Sequence, residues 1–195
     1  MAGRKPSADR ILEAAETVFD QHGYGETSLR MLMSAAGVST TAFYARFHSK
    51  EDVLAALVSR FITELTEQAV AALEEVGSLE EGFDRGVDVL VDVLSRHRVV
   101  AALALTEAAG NPNVRARLAQ AYADLVELLA ARIRGLAKRG PARGSDPTAL
   151  AWALVGALQM QVMRWAVFGE LDERKLDKAL RGTARTLIPA LVAAR

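Results

Sequence analysis

The sequence predicts an all-α protein, and three observations carry that reading. Apolar residues recur at three- and four-residue intervals over nearly the whole chain, with no convincing alternating run. Capping residues precede most of these stretches, and glycines or Asn-Pro and Asp-Pro pairs separate them. The composition agrees, with 51% of the 195 residues apolar, 25% charged, and five prolines. The predicted arrangement is a three-helix unit with helix-turn-helix geometry over residues 1–48, followed by a larger helical domain over residues 49–195.

The elements follow in order. Ser7 caps a first helix whose stripe is Ile11, Leu12, Ala15, Val18 and Phe19, and Gly23 ends it. Thr27 or Ser28 opens a short second helix through Leu29, Leu32 and Met33, which stops at Gly37. Ser39 caps a third, with Phe43 and Phe47 one turn apart on its buried face. Ser49, followed by Glu51 and Asp52 in the first turn, opens a long helix to about Val76. Ser78-Leu79-Glu80-Glu81 reads as a capping box, and its helix ends near Arg96-His97-Arg98, where a shorter apolar helix to Ala109 begins. Asn111-Pro112 starts a helix that reaches about Arg139 before Gly140-Pro141. Asp146-Pro147 starts an uncharged one that ends near Gly169, and Asp172 caps the last, where Pro189 introduces a bend or a frayed end.

Composition excludes several classes of function. Without cysteine there is no disulfide scaffold, thiolate nucleophile or Cys-ligated metal. His22, His48 and His97 are too scattered for a metal site, and no glycine-rich phosphate loop or Ser/His/Asp set can be assembled. Neither an enzyme nor a cofactor is expected. The first ten residues lack a secretory apolar run, and the uncharged stretch 147–163 is short for a bilayer and contains Gln159 and Gln161. A cytoplasmic protein with no membrane role is expected. The 24 basic and 24 acidic residues balance, so total charge gives no hint of a nucleic-acid partner.

Position is more informative. Residues 27–50 carry Arg30, Arg46 and Lys50 and no acid, whereas Asp9, Glu13, Glu16 and Asp20 lie on the first helix. A helix, a tight turn at Gly37 and a second helix capped by Ser39 form the geometry in which the second helix can enter a DNA major groove. With Val38, Phe43 and Phe47 packed inward, Thr40, Thr41, Tyr44 and Arg46 face outward. Hydroxyls can donate to phosphates or base edges, and an arginine can neutralise a phosphate or bond guanine in a bidentate fashion. His48 reads equally as a DNA contact or a solvated helix-end residue.

Here the sequence resembles the tetracycline-repressor (TetR) family of bacterial transcription regulators. The resemblance runs from Ile11 through Phe19, Gly23-Tyr24, Thr27 and Leu32. It is tightest over Ala36-Gly37-Val38-Ser39, Phe43-Tyr44, Phe47 and Ser49-Lys50-Glu51. It implies an N-terminal DNA-binding domain and a C-terminal domain for ligand binding and dimerisation. It places Ser39, Thr40, Thr41, Tyr44 and Arg46 at DNA-contacting positions of the recognition helix, Thr27 and Lys50 at phosphate contacts, and Arg4 and Lys5 in a basic arm. Thr41-Ala42 in place of the common Gly-Thr, Ala45 in place of a larger residue, and Met33 in place of a small alanine depart from the pattern. The nineteen arginines against five lysines fit a bacterial, GC-rich source.

In the second domain, a helix apolar all round must be covered on more than one side. Ala149, Ala153, Gly156 and Ala157 share a small-residue face, which points to a homodimer through the last two helices. An unidentified small-molecule effector is expected against Trp152, Gln159, Met163, Trp165 and Phe168. Phe61, Leu65, Phe83, His97, Leu103, Glu107 and Tyr122 are expected on the surrounding helices. The run Arg132, Arg134, Lys138, Arg139, Arg143 reads as a solvated helix end. The expected function is a homodimeric repressor released from a palindromic double-stranded operator by a hydrophobic or amphipathic ligand. An activator, or a helical interaction module that binds no DNA, would share the same architecture.

Overall fold

A computed structural model describes residues 7–73, 79–137 and 146–192. Among these the regular structure is helical throughout: α1 (Ser7–His22), α2 (Leu29–Ala36), α3 (Thr40–Tyr44), α4 (Lys50–Leu73), α5 (Leu79–Arg96), α6 (Arg98–Glu107), α7 (Pro112–Ala137), α8 (Pro147–Ala166) and α9 (Glu173–Val192). No described helix is long and apolar enough to cross a membrane. The predicted ends at Val76, Ser78 and Arg139 to Pro141 lie outside the described residues.

Local chemistry sets the boundaries. The Ser28 Oγ accepts the Met31 amide to open α2, and Ser39 does the same for Ala42 at α3. Before α4, Ser49 Oγ accepts the Asp52 amide while the Asp52 carboxylate accepts the His48 amide, a reciprocal cap. Asn111, Asp146 and Asp172 cap α7, α8 and α9 through their side-chain oxygens. The amide bond from Lys175 leads the interactions that hold the Asp172 carboxyl below the usual carboxylate range. Ser7 is the first residue of α1 itself.

The chain forms two compact units, and they do not divide at residue 48 as the motif suggested. The first extends to Thr63 and includes His97–Arg117; the second comprises Glu64–Arg96 and Leu118–Arg195. The reason is burial. Val53, Leu54, Leu57, Val58, Phe61 and Ile62 of α4 and Val100, Ala101 and Ala104 of α6 are core residues of the first unit, together with the predicted α1 stripe. Each valine, leucine, isoleucine or phenylalanine among them contributes about 1.5–3 kcal/mol when removed from water, so these segments stay with the helices they cover. Within this unit α1 packs on α2, α3 and α6.

In the second unit, α9 packs on α5 and α8. Val126, Ala130 and Ile133 of α7 meet Ala151 and Val155 of α8 in a cluster flanked by Tyr122, Leu129 and Leu150. Arg181 of α9 bonds Asp84 at 3.1 Å, Asp88, and Asp177 at 2.9 Å, joining α9 to α5. Burial opposes the charge on its guanidinium, but Asp88 and Asp177 outweigh that and hold the group protonated. Arg96 of α5 pairs with Glu64 in the same unit.

Candidate DNA-binding interface

The turn between α2 and α3 is built from the end of α2. Gly37 adopts φ +60°, its amide bonds the Ser34 carbonyl, and the Val38 amide bonds the Met33 carbonyl. This is a Schellman closure, which needs a left-handed residue that glycine supplies without a Cβ penalty. Arg10 of α1 reaches across and donates to the Ala36 and Gly37 carbonyls, both at 3.3 Å. A cation thereby sits at the negative end of α2 and fixes the turn against α1.

The third helix is shorter than its spacing suggested. It ends at Tyr44, with Ala45 and Arg46 in the following turn. Phe47 still reaches the core because its amide bonds the Phe43 carbonyl at 2.9 Å, continuing the helical turn once past the end. The rings of Phe43 and Phe47 lie 6.1 Å apart, and Phe43 is fully buried. Tyr44 meets Phe43 edge-on at 5.7 Å and is 43% exposed. Thr40, Thr41 and Arg46 are exposed as well. The structure therefore brings four predicted contacts together on α3 and the turn after it, with Ser39 exposed at the cap.

Two predicted phosphate contacts are occupied elsewhere. Thr27 is 3% exposed, and its hydroxyl donates to the Gly23 carbonyl at 2.7 Å, closing the α1–α2 connection. The Lys50 ammonium donates to the carbonyls of Tyr24 (2.6 Å) and Gly25 (3.1 Å) and lies 4.5 Å from the Tyr24 ring centre. Both side chains bond the domain's own backbone. Arg4 and Lys5 lie outside the described residues.

Sequence reasoning missed the contacts made over long separations. The Tyr24 hydroxyl donates to Glu51, and burial first, then the Glu51 and Glu107 charges, raise its pKa above the usual phenol range. Asn111 donates to the Glu51 carbonyl, and His97 pairs with Glu16 at 2.9 Å, with Arg60 3.8 Å from the same carboxylate. Partners this far apart in sequence leave no spacing signature.

The predicted effector residues fall in both units. In the first, Phe61 is buried beside His97, while Leu103 and Glu107 are half-buried. In the second, Trp165 is a fully buried core residue, and Leu65, Phe83, Gln159 and Met163 are half-buried. Tyr122 packs on the α7–α8 cluster, and its burial raises its pKa above the usual phenol range. Trp152 and Phe168 differ from expectation, being 49% and 55% exposed. Trp152 shares an exposed stripe of α8 with Ala149, Ala153, Gly156 and Met160, because these positions recur every three to four residues.

Residues 11–57, which include α2, α3 and the turn between them, match the family model described as "Bacterial regulatory proteins, tetR family". The chain carries the N-terminal DNA-binding region of the TetR family. It is a transcriptional regulator with a DNA-binding helix-turn-helix. Among its relatives, the HTH-type transcriptional regulator UidR of Escherichia coli K12 is 27% identical over 139 residues, 70% of this chain and 69% of UidR. The fatty acid degradation regulator FadR from Bacillus halodurans shares the fold with a TM-score of 0.80 at 22% identity, covering 98% of this chain and 99% of FadR. A transcriptional regulator from Saccharomonospora viridis, solved in complex with choline, has a TM-score of 0.76 at 23% identity over 91% of this chain and 95% of its own.

Proposed function

We propose that this TetR-family protein is a homodimeric cytoplasmic repressor that holds a palindromic operator and releases it on binding a small hydrophobic or amphipathic effector. One observation carries the DNA half of this reading: Thr40, Thr41 and Tyr44 on a short helix and Arg46 in the turn after it are exposed together, fixed from behind by Phe43 and Phe47, in a segment without acidic residues. Hydroxyl donors and one guanidinium suit phosphate oxygens and base edges, and a firmly packed base fixes their register. The dimer half is supported by the exposed α8 stripe of Ala149, Trp152, Ala153, Gly156 and Met160, where small residues permit close helix approach. Two recognition helices then address half-sites about one turn, ~34–36 Å, apart. Half-buried Phe83, Tyr122, Gln159 and Met163 are the residues we assign to the effector. The effector acts through its differential affinity for the DNA-competent and released conformers.

Binding is tested with duplexes selected from a random library by the wild-type protein, and with the DNA upstream of its own gene. Tyr44→Phe and Arg46→Ala are expected to weaken the complex several-fold to about tenfold, as loss of one to two polar contacts implies, with the dimer mass unchanged. Undiminished affinity in both variants removes the recognition-face assignment. A thermal-shift panel including fatty acids and choline, followed by DNA release, identifies the effector class. No compound that both stabilises the protein and releases DNA would defeat the ligand-released mechanism.

A further inference from the structure

We propose that Asn111 is a positioning residue for DNA recognition: its carboxamide holds the first turn of α4, and with it the segment bearing Tyr44 and Arg46. The proposal rests on the DNA-binding reading above. Asn111 is 5% exposed, and both halves of its side chain are used. The Oδ1 accepts the amides of Asn113 (3.0 Å) and Val114 (3.1 Å), capping α7. The Nδ2 donates to the Glu51 carbonyl at 3.2 Å, sixty residues away in sequence but in the same compact unit.

A cap alone does not explain this residue. Aspartate or serine would serve the α7 amides equally well, and aspartate would favour the helix dipole more. What asparagine adds is the N–H donor, and that donor goes to α4. The position it grips is well chosen to transmit placement. Lys50 is fastened to the Tyr24 and Gly25 carbonyls, the Glu51 carboxylate accepts the Tyr24 hydroxyl, and Asp52 caps His48. From there back to α3 the connection is closed turn by turn. The Ser49 hydroxyl caps Asp52, and the amides of Arg46 and Phe47 both bond the Phe43 carbonyl. A segment tied at each step moves as a body, so a shift at Glu51 is carried to Tyr44 and Arg46.

The test uses the full chain with Asn111→Asp and Asn111→Ser, which keep an acceptor for α7 and lose the donor to Glu51. Asp146→Ala, which removes the α8 cap in the other unit, is the control for stability alone. At 25 °C, with all proteins folded by circular dichroism, the two Asn111 variants are expected to bind the selected DNA about tenfold more weakly, the weight of one buried hydrogen bond. Their amides from Arg46 to Asp52 should exchange hydrogen faster, with α8 amides unchanged. Asp146→Ala should retain wild-type affinity. Wild-type affinity in the Asn111 variants, or an equal loss in Asp146→Ala, would overturn the proposal. Should the wild-type protein bind no DNA, the DNA-binding reading fails by itself; unaltered exchange at 46–52 then overturns the role of Asn111 separately.

Discussion

Thr27 and Lys50 show how a side chain's partner, rather than its type, decides its role. Both have groups that could meet a phosphate, and both spend them on backbone carbonyls of the α1–α2 connection. Thr27→Val is therefore expected to remove the bond to Gly23 at a cost of about 1 kcal/mol. That should lower Tm by about 2–4 °C for a chain of this size. DNA affinity of the folded protein should stay at the wild-type value in an anisotropy titration. The caps at Ser28, Ser39, Ser49, Asn111, Asp146 and Asp172 were legible in the sequence because a cap bonds an amide two or three residues onward. The bonds from Arg10 to Ala36, Lys50 to Tyr24 and His97 to Glu16 were not, since chain separation conceals which groups meet.

At the scale of elements, the helix starts were read closely and one helix end was not. The four-residue spacing of Phe43 and Phe47 is what a longer α3 would show. Yet the helix stops at Tyr44, and a single further turn brings Phe47 into the core. The consequence is that Arg46 belongs to a turn, beside a recognition helix of five residues. The α2–α3 turn depends on Gly37, whose surroundings would leave an added Cβ in open space. Gly37→Ala thus strains the backbone and nothing else, at about 1–2 kcal/mol. Thermal melts should show Tm lowered by several degrees, and Gly37→Asn should recover part of the loss because asparagine tolerates the left-handed region.

For the whole molecule, the all-α class was legible from periodicity and the family from the residues around Gly37, while the division into units was not. A boundary drawn where the motif ends misses that α6 and the first half of α4 bury their apolar residues in the same unit as α1. On α8, nothing lies within 4 Å of a Cβ added at Gly156. Gly156→Glu should therefore leave the protomer folded, with helix propensity improved by several tenths of a kcal/mol, while light scattering shows a monomer in place of the proposed dimer. A persistent dimer would direct attention away from this stripe. The fastening of Lys50 also bears on how the protein responds to ionic strength. Each phosphate neutralised by a cation releases roughly 0.9 condensed counterions from duplex DNA. With Lys50 turned to carbonyls, residues 27–50 retain Arg30 and Arg46 for that purpose. This face should thus contribute a slope of about −2 per protomer in log K against log salt, and Lys50→Met should leave that slope unchanged. A DNA-binding face with two cations should lose less affinity as salt rises than a polycationic one.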